Sequence, residues 1–240
     1  MGQSADLSTV AKVVSAINAH IETLPLRNTP NMRAIRRQYS SALKQASPDF
    51  IPRLARKLCE DADLRWFAYE LIRNHKTTFK QLTKAELETL GQGINSWWTV
   101  DSFARTLSGP AWLNRQVSDE LVLKWARSED RWWRRASLVS TVALNVRSHG
   151  GKGDVSRTFQ VCCLLVNDHD DMVAKAMSWA LRELVVHDAT AVQGFLAEYD
   201  QALAARVKRE VRNKLLTGLK NPKPKSRSSR LTKTHAQYED

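Results

Sequence analysis

The stretch DELVLKWARSEDRWWRRASLVSTVAL, residues 119–144, holds two apolar stripes joined by a short acidic turn. Leu121, Leu123 and Trp125 belong to the first stripe. Trp132, Trp133, Ala136 and Val139 form the second, and their spacing of three or four residues puts them on one side of an α-helix. The turn ARSED ends at Asp130, a residue type that caps helices by accepting a backbone N–H left unpaired in the first turn. The stretch therefore reads as a helical hairpin.

The same scheme recurs on both sides. In FIPRLARKLCEDADLRWFAYELI, residues 50–72, Ile51, Leu54, Ala55 and Leu58 precede the turn CEDAD, and Trp66, Phe67, Tyr69 and Leu71 follow it. In RTFQVCCLLVNDHDDMVAKAMSWALREL, residues 157–184, Val161, Leu164 and Leu165 precede NDHDD, and Val173, Ala176, Met177 and Trp179 follow. The small residues inside successive second helices are Ala68, Ala104, Ala136 and Ala176, at intervals of 36, 32 and 40 residues. An irregular period near 36 fits hairpins stacked into an α-solenoid, where each unit buries its apolar face against its neighbours. A plain helical bundle is the alternative. Nine glycines and seven prolines in 240 residues suit an all-α chain. The expected organisation is one repeat domain over residues 1–218, with a concave basic groove, followed by a disordered basic tail over 219–240.

The formal charge of +12 points to a polyanionic partner. From Arg206 onward 11 Lys/Arg stand against Glu210, Glu239 and Asp240, so this end carries +8 and leaves +4 for the preceding 205 residues. No run of 18 apolar residues exists, which excludes a spanning helix. The first residues lack the basic and apolar regions of an export signal, and the three cysteines make no disulfide framework. A reducing, cytoplasmic setting and a monomer are expected.

The six histidines form no metal-binding motif, and helix capping accounts for the acidic group around His169, so neither metal nor cofactor is expected. Cys162 and Cys163 lie in the apolar run VCCLLV and read as core. The Gly-rich loop VRSHGGKGDVSR, residues 146–157, lacks the spacing of a nucleotide-binding loop, although Lys152 within it could touch a phosphate.

Eight tryptophans are the unusual feature, and most fall in second helices: Trp66, Trp97, Trp98, Trp132, Trp133 and Trp179. Second helices of a solenoid line one face, which would bring these rings together with Asp101, Arg135 and Lys175. Core packing explains any one of the rings. The set suits a groove for a nucleic-acid backbone with an electron-rich pocket at its centre. Tryptophan faces attract cations by about 0.5–2 kcal/mol. A purine alkylated at N3 or N7 is such a cation. Breaking its glycosidic bond builds positive charge on the sugar, which a fixed carboxylate stabilises.

Several segments, NTPNMRAIRRQY, DLRWFAYELI, SWWTVDS, RWWRRASLV and KAMSWALREL, make the chain resemble the DNA alkylation repair proteins built of HEAT-like repeats, the AlkD-type alkylpurine DNA glycosylases. The resemblance covers most of residues 20–215. It implies excision of N3- and N7-alkylated purines from double-stranded DNA by hydrolysis of the N-glycosidic bond, without base flipping. It assigns Asp101 to stabilise the oxocarbenium and position water, and Trp97 to contact the deoxyribose beside the lesion. Arg135 becomes a backbone phosphate contact and Trp179 a second aromatic wall. The slot after Trp97, commonly acidic in the family, holds Trp98, which either packs inward as core, the favoured reading, or competes for the role of Trp97. The alternative function is a non-catalytic repeat protein that binds DNA or another protein.

Overall fold

The computed structural model describes residues 8–222, and these are helical with no strand among them. In chain order the helices are α1 (Val10–Glu22), α2 (Thr29–Ala42), α3 (Phe50–Leu58), α4 (Arg65–Asn74), α5 (Lys76–Lys80), α6 (Lys84–Gly91) and α7 (Trp97–Phe103). They continue with α8 (Gly109–Leu113), α9 (Asp119–Ala126), α10 (Arg131–Asn145), α11 (Val155–Leu164), α12 (Asp171–Leu184), α13 (Ala189–Glu198) and α14 (Ala205–Thr217). The architecture is an α-solenoid of helical repeats.

The acidic turns act as the sequence predicts. Asp130 accepts the Trp132 N–H at 2.8 Å, and Asp170 accepts those of Met172 and Val173 at 2.8 and 3.3 Å. Asp61 does so one step earlier, accepting the Asp63 N–H at 2.9 Å to cap the 3₁₀ turn that leads into α4. The carboxylates beside His169 are engaged as well. Asp168 takes the Arg134 Nε–H at 2.7 Å, and Asp171 pairs with Lys175 and Arg206. No group of three or more potential ligands is placed to hold a metal among the described residues. No described helix is long and apolar enough to cross a membrane.

Hairpins α1/α2, α3/α4, α6/α7, α9/α10, α11/α12 and α13/α14 stack so that each second helix packs on the next, from α2 through α4, α7, α10 and α12 to α14. Ala68, Ala104, Ala136 and Ala176 are all fully buried in this layer, where a small side chain lets neighbouring helices close up. One continuous core runs from Val13 to Val211.

Two places depart from regular packing. First, α7 passes without a break through a π turn, Ala104–Ser108, into α8, and the Gly109 N–H bonds the Ala104 carbonyl five residues back. Gly109 is obligatory there: a Cβ would lie 2.8 Å from the Ala104 oxygen and 2.9 Å from the Ser140 oxygen of α10. The Ser108 and Ser140 hydroxyls meet at 2.7 Å across the same contact. Second, α14 ends on Gly218 in the left-handed region (φ 73°), the usual way to turn the chain off a helix. Of the segment expected as a tail, Leu219–Pro222 are described, and Lys220 reaches back to within 3.5 Å of Glu210. The remainder lies outside the described residues.

The expectation for Cys163 is corrected. Cys162 is fully buried, but its neighbour lies about 100° further round α11 and is exposed, with its thiol 3.6 Å from the Tyr199 hydroxyl.

Candidate active site

The site begins at the N-terminus of α7. Ser96 and Thr99 form a reciprocal cap, each side chain accepting the other's backbone N–H at 3.2 Å. This fixes the first helical turn and sends the next two side chains outward. Trp97 is 57% and Trp98 43% exposed. Both line a cleft of about 780 Å³ together with Asp101, Ser102 and Arg105 of the same continuous helix. Met32 and Arg33 of α2 and Trp66 and Glu70 of α4 face them across it.

Asp101 sits one turn beyond Trp97 and is held from behind. Arg135, from α10, donates Nε–H to Oδ1 and Nη2–H to Oδ2, each at 2.9 Å. Its Nη1–H goes to the Met172 carbonyl of α12 at 2.6 Å. Three second helices therefore meet at one bidentate pair. Burial pushes the Asp101 carboxyl above the usual aspartate range; the Arg135 hydrogen bonds, its charge and the charge of Arg105 pull the other way without cancelling that effect. A carboxylate has about four lone-pair positions, and the fork engages one on each oxygen. The others remain for a ligand at the 18% of the side chain that is still exposed. The result is a partly desolvated anion of fixed orientation beside two indole rings.

Several sequence expectations change in the folded chain. Trp98 does not pack inward; it is exposed and lines the cleft together with Trp97. Arg135 is only 5% exposed and each of its three nitrogens already donates to Asp101 or Met172, so it is not placed as a phosphate contact. Lys175 pairs with Asp171 at 2.6 Å, and Lys152 is exposed on its loop; neither lines the cleft.

The aromatic set divides in the same way. Trp66, Trp97 and Trp98 face the cleft. Trp133 turns the other way, against the rings of Phe103 and Trp125 at 5.9 and 5.0 Å. Trp179 is half-buried, its indole N–H donating to Glu183 at 3.0 Å, and it borders the cleft through Arg105, whose guanidinium lies 5.4 Å from its ring. Sequence reasoning missed Arg105. The signal was its position four residues after Asp101, which in a helix puts both on one face.

Stacked helical hairpins presenting exposed indoles, a clamped carboxylate and an arginine in one cleft define a repeat protein with a chemically equipped ligand site. Residues 5–215 match the DNA alkylation repair enzymes, and the chain belongs to that family. It is thus an enzyme of DNA alkylation repair with DNA as its partner. Comparison with curated proteins finds no match.

Proposed function

We propose that this chain is a DNA glycosylase of the AlkD type that excises N3- and N7-alkylated purines from duplex DNA by hydrolysis. The observation that carries this reading is the juxtaposition of two exposed tryptophans with an oriented, partly desolvated carboxylate in one open cleft. The indole faces favour the cationic base and sugar by about 0.5–2 kcal/mol. The C1′–N bond breaks with its electron pair passing to the purine, which neutralises the alkylated ring, so the base leaves without a general acid. The oxocarbenium left at C1′ is stabilised by ionised Asp101. Water adds to C1′ while hydrogen-bonded to that carboxylate and releases its proton, giving free base and an abasic site. An open cleft with surface indoles favours reaction on the stacked base over extrusion into a pocket.

The test is release of 3-methyladenine and 7-methylguanine from methylated duplex DNA. The proposal expects release well above the spontaneous rate, reduced roughly 10²-fold or more in Asp101→Asn. Release no faster than spontaneous loss, or undiminished release by Asp101→Asn, overturns it.

One observation favours a second reading, a repeat protein that binds DNA without cleaving it: both Asp101 oxygens already have a partner in Arg135. That reading expects tight duplex binding with no base release.

A further inference from the structure

Three arginines line the cleft: Arg27, Arg33 and Arg105. Arg27 is paired with Glu22 at 2.6 Å and Arg33 approaches Glu70 at 3.6 Å. Around the cleft, Arg131, Arg134 and Lys175 are likewise spoken for by Asp170, Asp168 and Asp171, and Arg135 by Asp101. Arg105 is different. It is exposed and forms no salt bridge among the described residues; its charge acts on Asp101, and its guanidinium lies over the face of Trp179. The guanidinium carbon lies 5.4 Å from the ring centre, a cation–π contact that favours this placement without using the N–H donors.

The placement is built by three elements. The π turn Ala104–Ser108 carries Arg105 just beyond the helical turn that holds Asp101, and α12 supplies the ring beneath it. Trp179 is itself fixed by packing against the core and by its bond to Glu183. The platform is rigid and the group it carries is a planar donor. A planar, unpaired guanidinium at the edge of a cleft suits a non-bridging phosphate oxygen pair.

We propose that Arg105 is the cationic contact to the DNA phosphate flanking the reacting nucleotide, its guanidinium placed by the cation–π contact to Trp179. The inference rests on the reading of the cleft as the DNA site and assigns Arg105 the contact that the sequence suggests for Arg135. Arg105 also draws the backbone toward Asp101, so it tunes where C1′ sits relative to the carboxylate.

The experiment measures equilibrium binding of undamaged and methylated duplexes to the full chain across a salt series, together with single-turnover base release. Each phosphate contact contributes about 0.9 to the slope of log affinity against log salt. Arg105→Ala is expected to lower the slope by about that amount on both duplexes. Arg105→Lys is expected to restore the slope but not the full rate of base release, since a lysine lacks the planar fork.

An unchanged slope in Arg105→Ala overturns the proposal. A lower slope in a protein that releases no base removes the glycosylase reading and leaves the phosphate contact standing.

Discussion

Asp101 is a carboxylate under opposed influences. Burial favours its protonated form, the Arg135 fork favours the ionised form, and burial prevails so that its pKa lies above 3.8. Because the folded value is raised, the stability this residue contributes is present below the unfolded pKa and is lost as pH rises through the folded one. Catalysis needs the ionised form and runs the other way. The expected outcome is a pH profile of kcat/KM whose acid limb falls at a pH higher than for an ordinary aspartate, after subtraction of spontaneous base loss. Replacing Arg135 with Met strands Asp101 without its partner. A loss of roughly 2–4 kcal/mol is expected, toward the lower part of the range for buried pairs because Asp101 keeps some water, and urea unfolding measures it. Trp98→Ala tests the opposite case. With 43% of the residue exposed, melting should change by no more than about 0.5 kcal/mol, while base release falls roughly 2- to 30-fold through loss of a cation–π face. At this scale Trp97 and Asp101 were legible one turn apart in the sequence. The outward path of Trp98 was not, because its exposure depends on how far α2 and α4 stand from the start of α7.

At the scale of elements, the recurring alanines and the capping aspartates could be read in advance because both act over a few residues. Helix register and helix starts are local matters of apolar spacing and unpaired N–H groups. The π turn between α7 and α8 was invisible. It accompanies the close approach of Gly109 to α10, a contact between residues far apart in the chain. Gly109→Ala puts a methyl group 2.8–2.9 Å from two carbonyl oxygens and the Ala143 side chain. It is expected to destabilise the protein by about 1–3 kcal/mol, read from thermal unfolding. Since the same turn carries Arg105, salt dependence of DNA binding should weaken in that variant as well.

The whole molecule is a line of hairpins whose second helices couple neighbour to neighbour, so its terminal units depend on single interfaces. At the C-terminal end, Glu210 of α14 is 1% exposed and accepts the Ser178 hydroxyl of α12 at 2.6 Å. Burial raises its pKa, but the hydrogen bond from Ser178, the charge of Lys220, the hydrogen bond from Arg206 and the charge of Arg182 together outweigh that and hold it below the usual glutamate range. A depressed folded pKa means stability that is present above the unfolded value, near 4.5, and lost as pH falls through the folded one. Glu210→Gln should therefore be less stable than the parent at neutral pH, with the difference shrinking below about pH 4.5, as unfolding midpoints across pH will show. By itself the sequence determined the helical hairpins, their period, the capped turns and the Trp97–Asp101 pair, because each is set by residues within a turn or two of one another. Tertiary structure alone decided that Arg135 is buried behind Asp101, that Trp133 packs against Phe103 and Trp125 while Trp98 faces the cleft, and that Arg105 lies against Trp179. Those outcomes depend on which side of each second helix its neighbours cover, and that is settled only when the hairpins stack.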